Sequence, residues 1–237
     1  MPAERFYIDS DLTCGTSVSL TGDEFTHLVK VMRGGVGDSL ELINGRHILA
    51  KAQIEKIDKH AAELSISLIE EHAPCSPSIT LAVGLPRFNH LEWIVEKVTE
   101  VGANALWLFP GDLSEKKTVS EQQLIRIHNL MVAAVKQCGR LDMPSLSILP
   151  PLHSWHYPPE GSLFFGDTSP DAPLLFRHLP PKNTPIFFFT GPEKGFSTQE
   201  KLLLKNAWHV QGVSLLPHIL RAETAPILAT AILRHML

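Results

Sequence analysis

The sequence predicts an α/β fold: a mostly parallel sheet covered by helices on both faces, preceded by a smaller β-rich domain. Three observations carry this. From Ile79 onward, short apolar runs alternate with amphipathic segments, the pattern of doubly buried strands joined by crossover helices. Up to His72 the chain instead alternates short β-like runs with turn signals. Between the two, Ala73-Pro-Cys-Ser-Pro-Ser78 is a turn-rich linker. The expected domains are therefore residues 1–72, a linker at 73–78, and residues 79–237.

In the first domain, strands are expected at Ser17–Leu20, Ser39–Ile43, His47–Ile57 and Ala62–Ile69. Asn44-Gly45 between two of them is a type I′ hairpin signal, because that turn needs positive φ at both central residues. Asp23–Arg33 reads as a short helix with Phe25, Leu28, Val29 and Met32 on one face, leaving Lys30 and Arg33 to point outward. Two exposed cations are as compatible with a solvated face as with a phosphate contact.

In the second domain, Ile79–Leu85 is a strand. Asn89-His-Leu-Glu92 reads as a capping box opening a helix that buries Leu91, Ile94, Val95, Val98 and Val101 and stops at Gly102. Ala105–Phe109 is the next strand, followed by a loop with Lys116 and Lys117 at the strand's carboxyl end, where α/β sheets bind their ligands. Ser120 caps a long helix with Leu124, Ile127, Met131, Ala134, Val135 and Cys138 inward, and Lys136 and Arg140 on or after its last turn. Strands follow at Leu146–Leu149 and Leu163–Phe165, then a short helix at Ala172–Leu179. Ile186–Phe189 is an unbroken apolar run between Pro185 and a glycine turn, the mark of a central strand. Val213–Leu216 is the last strand. The final helix, Ala225–Leu237, is expected to bury Ile227, Leu228, Ala231 and Ile232, with Pro226 tolerated in its first turn.

Two strand-to-helix junctions carry the functional signal. After Thr190 comes Gly-Pro-Glu-Lys-Gly-Phe-Ser, whose glycines permit positive φ and close approach of a flat ligand, and whose Ser197 opens a helix in a capping box with Glu200. After Leu216 comes a stretch carrying Arg221, Glu223 and Thr224 before the last helix. Either alone is most simply a tight turn. Together they form two walls of one crevice at the carboxyl edge of a parallel sheet. No Gly-x-x-x-x-Gly-Lys-Ser/Thr or Gly-x-Gly-x-x-Gly is present, which excludes the common nucleotide-binding loops.

Composition narrows the classes further. With 44% hydrophobic and 19% charged residues the chain is an ordinary globular sequence. No apolar run is long enough to cross a bilayer and the N-terminus has no hydrophobic signal core, so a cytoplasmic location is expected. The three cysteines are far apart, and the histidines form no ligand-like cluster, so neither a disulfide framework nor a metal site is indicated. The net charge of −4 argues against a protein that coats nucleic acid. Up to His72 there are 7 basic against 12 acidic residues, leaving 14 against 13 beyond, so any RNA affinity must come from local patches.

The two junctions, read as GPEKGFS and HILRAETA, resemble the GPEGGFS and RILRTETA signatures of the RsmE family of SPOUT-class methyltransferases, which methylate N3 of a uridine in 16S ribosomal RNA. The likeness extends upstream through Leu91–Gly102, Ala133–Arg140, His27–Arg33 and Gly37-Asp38, so it covers nearly the whole chain in the family's order. It implies a PUA-like RNA-binding β-barrel followed by a SPOUT-type α/β domain with a deep trefoil knot, working as a homodimer on 16S ribosomal RNA or the small subunit. It implies S-adenosyl-L-methionine as the cofactor, wrapped by Thr190, Gly191, Pro192, Glu193, Gly195, Leu216, Ile219, Leu220, Arg221 and Thr224. In that chemistry the deprotonated imide spreads negative charge onto the uracil carbonyl oxygens, which a guanidinium would stabilise: Arg140 and Arg221 are the candidates, with Glu223 as orienting partner or proton acceptor. Lys30, Arg33, Lys116, Lys117 and Lys136 are the expected RNA contacts. For each arginine the plain alternative is a surface ion pair. The sequence departs from the signatures at Lys194, where the family has glycine, and also at Lys136, Cys138 and Pro226. A silent ribosome-assembly binder that kept the fold and lost the cofactor is the rival expectation, and saturable cofactor binding separates the two.

Overall fold

Five strands build the sheet of the N-terminal part: β1 (Arg5–Tyr7), β2 (Ser17–Thr21), β3 (Ser39–Ile43), β4 (Ile48–Ile57) and β5 (Ala61–Glu71), in the order β1-β3-β4-β5-β2. The computed structural model describes residues 5–178 and 180–236. Only β1 and β3 run parallel; the other pairs are antiparallel. Register shifts between β4 and β5 at Lys51/Ala52 and Ile54/Lys56 bend the long pair and curl the sheet. Alternate residues then meet inside: Leu42, Ala52, Ile54, Leu64 and Ile66 close over Phe6, Leu20 and Leu28. The first helix, α1 (Gly22–Thr26), passes into a π-turn over His27–Met32, burying Leu28 and leaving Lys30 and Arg33 exposed, with Arg33 in the left-handed region at φ 56°.

The expected two-residue hairpin is a four-residue loop. Positive φ falls on Gly45 and His47, while Asn44 is buried and its Oδ1 accepts the Arg46 N–H at 2.9 Å, so the side chain closes the turn instead of the backbone.

The second sheet has six strands, β6 (Ile79–Gly84), β7 (Ala105–Phe109), β8 (Ser145–Ile148), β9 (Ser162–Gly166), β10 (Ile186–Thr190) and β11 (Gln211–Val213), in the order β11-β9-β10-β6-β7-β8. Every pairing is parallel. All residues of β6 and β10 are buried, as continuous apolar runs in the middle of a covered sheet should be. Helices α2 (Phe88–Val101) and α5 (Thr224–Met236) pack on each other, and α5 lies on β6 and β10. An aromatic cluster also packs on the sheet: Trp155 stacks on Trp208 at 5.8 Å and meets Trp107, Phe109 and Phe189. Ser197 caps α4 (Thr198–Leu202) through the full capping box with Glu200, and Ser120 and Gln123 exchange the same pair of bonds at the start of α3 (Glu121–Cys138).

Several expectations change. The chain separates into two units, one being the chain up to Pro74 with Val132–Met143, the other Cys75–Met131 with the residues from Pro144 on. The end of α3 and the loop after it, placed in the second domain by the sequence boundary, thus count with the first sheet, where Val135 fills a small core with Ile43 and Leu49. Cys138 is exposed at the helix end, not inward. Helix α2 starts at Phe88 with Arg87 as its cap, so Asn89 lies inside the helix and no side chain from the Asn89–Glu92 box caps it. Strand β11 begins at Gln211, because Gly212 lets the Phe165 ring and Asp167 pack where a Cβ would collide, while Leu216 is exposed loop. Between Ala172 and Leu179 there is only a single 3₁₀ turn, Leu175–Arg177, with Leu179 itself outside the described residues. Helix α5 buries Pro226, Ala229, Thr230 and Leu233, while Ile227, Leu228, Ala231 and Ile232 are half-buried. Its sequence is apolar on nearly every side, so periodicity could not choose the face. Leu237 lies outside the described residues.

Candidate functional site

The carboxyl ends of β11, β9 and β10 lie side by side, and the segments leaving them enclose a cavity of about 570 Å³, within the range that holds a cofactor-sized ligand. Its three walls are 166–174 after β9, 190–196 after β10 and 213–222 after β11.

The wall after β10 is a tight turn. The Gly195 N–H donates to Pro192 O at 2.8 Å, and Gly195 takes φ +72°. Gly191 is required for a different reason than positive φ: a Cβ there would lie 2.6 Å from the Gly195 carbonyl carbon, so the turn could not close. Lys194 does not occupy the left-handed region, so lysine in place of the signature's glycine carries no backbone strain. Pro226 is equally unstrained, as the third residue of α5, where no intrahelical donor is needed.

Glu193 lines the cavity, and its carboxylate is held by a neighbouring element. Its Oε1 accepts the Arg87 N–H at 2.8 Å, capping α2 from another element, and lies 2.8 Å from Nδ1 of His90. Burial pushes its carboxyl up, but the Arg87 and Glu193 N–H groups and His90 outweigh it, and it is held below the usual carboxylate range. A charged carboxylate at a helix N-terminus also complements the helix dipole.

Thr190, the last residue of β10, lines the cavity and is 3% exposed, yet its Oγ1 finds no hydrogen-bond partner among the described residues. A buried hydroxyl without a partner costs roughly 1–3 kcal/mol, and one at a cavity wall is a bond held ready for a ligand.

The wall after β9 was not found in the sequence. Asp167 is buried there, accepting from Ser169 N and Oγ at 3.1 and 2.7 Å and from Lys205 Nζ at 2.7 Å. Burial raises its carboxyl, but Lys205 and Ser169 more than compensate and hold it low. The one available signal was a Gly-Asp pair at the end of a doubly buried strand.

The wall after β11 ends where Arg221 O accepts the N–H groups of Thr224 and Ala225 and starts α5. The Arg221 side chain is 84% exposed, with its guanidinium 3.9 Å from Glu223 Oε1. Glu223 is mostly buried, and its Oε2 stands 3.8 Å from His90 Nδ1. Leu216, Pro217, Ile219 and Leu220 complete the wall; Ile219 is 80% exposed. Of the expected cofactor residues, all but Thr224 line this cavity.

The remaining expected residues are not among those that line the cavity. Arg140 and Lys136 lie in the first unit. Arg140 is bound to Asp142 at 2.5 Å, and Asp142, raised by burial, is drawn below the usual range by that guanidinium. Lys136 bonds both oxygens of Glu24 at 2.7 and 2.9 Å and lies over the Phe6 ring. Lys117 donates to Gly111 O and Asp112 O, bracing its own loop. Lys116, Lys30 and Arg33 are exposed. No group of His, Cys, Asp and Glu suited to a metal ion occurs among the described residues, nor is any helix among them long and apolar enough to cross a membrane.

A parallel sheet with a backbone-lined cavity at its carboxyl edge is matched by a family of known proteins. The family model for the RNA methyltransferase domain matches residues 73–234, and that for the RNA methyltransferase PUA domain matches residues 20–67. Ribosomal RNA small subunit methyltransferase E of Synechocystis sp. is 30% identical over 97% of this chain and 76% of its own length. The chain belongs to the RsmE family. The RsmE protein of Bacillus subtilis is 27% identical over 95% of this chain and 94% of that one. The crystal structure of the RsmE protein from Neisseria gonorrhoeae, bound to S-adenosyl methionine, superposes with a TM-score of 0.83 at 28% identity, covering 98% of this chain and 97% of that one. RsmE membership accounts for both halves of the architecture, the curled PUA-like sheet and the parallel-sheet SPOUT domain.

Proposed function

We propose that this protein transfers a methyl group from S-adenosyl-L-methionine to N3 of a uridine in 16S ribosomal RNA. The observation that carries the proposal is the cavity at the ends of β9, β10 and β11, with the unpaired Thr190 hydroxyl in its wall, in a chain of the RsmE family. S-adenosyl-L-methionine, when bound, supplies a sulfonium-activated methyl group. The chain's task is to hold and align it, exclude water, and favour the deprotonated imide of the base.

Thr190 Oγ1 and the backbone of Gly191, Gly195, Leu216, Ile219 and Leu220 supply hydrogen-bonding groups without a charged side chain, which suits an adenosyl group. Arg221, exposed beside the cavity it helps to line, is suited to stabilise negative charge spreading onto the uracil carbonyl oxygens. Glu223 orients that guanidinium and can accept the imide proton. Arg140, committed to Asp142, is the weaker candidate. For RNA contact, exposed Lys30, Arg33 and Lys116 are assigned to phosphates, while Lys117 and Lys136 serve structural bonds. Exposed Leu216 and Ile219 at the rim are apolar surface that a second copy of the chain would cover, favouring a homodimer. A ribosomal RNA substrate implies a cytoplasmic protein.

The test is methyl transfer from labelled cofactor to small subunits and to free 16S ribosomal RNA, with the modified base mapped. Methylation at a single uridine N3 is expected, lost in Arg221→Ala. Absence of transfer to either substrate would overturn the proposal.

A further inference from the structure

His90 is not part of the cavity wall, yet it touches both segments that flank the cavity. Its Nδ1 lies 2.8 Å from Oε1 of Glu193, in the turn after β10, and 3.8 Å from Oε2 of Glu223, in the segment entering α5. Its side chain is 23% exposed and those of Glu193 and Glu223 are 26% and 15% exposed, so the three groups meet largely out of solvent. An ionised carboxylate only accepts hydrogen bonds, so Nδ1 carries a proton toward Glu193 in either charge state, and it is Nε2 that gains or loses one.

We propose that His90 is a positioning residue for cofactor binding, whose charged form draws Glu193 and Glu223 onto one cation and so holds two walls of the cavity at a fixed separation. When the imidazole is neutral, two carboxylates face each other across a dipole, and the segment carrying Arg221 and Glu223 is released from the turn carrying Glu193. The surrounding charges do not substitute for it. The Arg87 guanidinium is bound to Glu115, Lys194 lies in the turn beside Glu193, and Arg221 is exposed and 3.9 Å from the other oxygen of Glu223. The charge that faces both carboxylates sits on a group that can lose it, so cofactor affinity should fall when that charge is removed, by pH or by substitution.

The inference rests on reading the cavity as the S-adenosyl-L-methionine site, and the test separates the two. Calorimetric titration of the full chain with S-adenosyl-L-methionine at about pH 6 and about pH 8.5 should show tighter binding at the lower pH, by about tenfold if charge is worth one further strong bond. His90→Gln, which keeps a neutral donor, should bind weakly at both values, retaining only the slope due to the cofactor's own groups. His90→Lys, a permanent cation, should bind tightly at both. Thermal melting at neutral pH verifies that each variant is folded. If His90→Gln keeps the wild-type affinity and slope, or if His90→Lys fails to restore binding while folded, the assignment of His90 is overturned. If the wild type binds no cofactor at either pH, the cofactor reading falls, and this inference with it.

Discussion

Thr190→Val separates what the Thr190 hydroxyl costs the free protein from what it gives the ligand. Valine keeps the shape and β-branching of the last residue of β10, which is buried and paired with Val83 of β6, but removes an Oγ1 that has no partner in the described structure. Deleting a buried unsatisfied hydroxyl should stabilise the free protein by about 1 kcal/mol, the low end of the penalty for such a group. For a chain of this length that raises Tm by about 2–4 °C. The bond to the ligand that disappears is also worth about 1 kcal/mol, enough to weaken S-adenosyl-L-methionine binding by roughly five- to tenfold. Cofactor at about 100 times the wild-type Kd stabilises the wild type by about 2.7 kcal/mol, but a variant with tenfold weaker binding by only about 1.4 kcal/mol. The two effects therefore nearly cancel in the presence of cofactor: the variant melts higher when free and close to, or slightly below, the wild type when loaded. Differential scanning fluorimetry with and without cofactor, paired with calorimetry, reads both arms. A variant that melts lower when free, with unchanged affinity, would refute the reasoning, because the hydroxyl would then have an internal partner and no role toward the ligand.

Removing the carboxylate in Glu193→Ala strips α2 of its cap at Arg87 N–H and should cost about 1–2 kcal/mol in urea unfolding; no loss would mean that water caps the helix equally well. Acid sensitivity follows from carboxyls held low in the folded state. Asp142, Asp167 and Glu193 are all depressed, so each contributes stability that is fully present above the unfolded carboxylate range, near about pH 4, and is lost as pH falls through the lower folded values. In Asp167→Asn the acid limb of a stability-versus-pH curve should flatten, and an unchanged limb would exclude Asp167 as a contributor. The double change Lys30→Ala, Arg33→Ala should weaken RNA binding and lower the slope of log K against log salt by about 1 for each phosphate no longer neutralised, measured by filter binding across salt concentrations; an unchanged slope would leave both cations solvated.

Much of the fold could be read from the sequence where burial leaves one choice. The Ile186–Phe189 run had to be central, since nothing polar interrupts it, and the Ser197-x-x-Glu200 box and the Ser120 cap announce their helices through bonds between neighbours. What failed depended on partners far away in the chain. The cap of α2 comes from Glu193, more than a hundred residues on, so Asn89 looked like the better start. Strand β11 opens on Gln-Gly, which has no apolar signature and is fixed by the Phe165 ring against Gly212. The wall at Asp167 became part of the site only when β9 was found between β10 and β11. Lys136 looked like an RNA contact, and the ion pair foreseen as the alternative for Arg140 had no named partner, because Glu24 and Asp142 could not be seen facing them.

The assignment of Val132–Met143 to the first unit limits how the protein can be divided. A fragment ending at the linker would look like a complete RNA-binding module on paper, but would lack Val135 over Ile43 and Leu49, the carbonyl of Gly139 that takes the Arg5 guanidinium, and the ammonium that neutralises Glu24. Such a piece would expose an apolar floor and leave the half-buried Glu24 carboxylate without its cation, while Arg5 keeps only Glu41. The first unit is thus finished only after α3 has been made, so a ribosome releasing the first hundred residues releases a sheet still waiting for its last support.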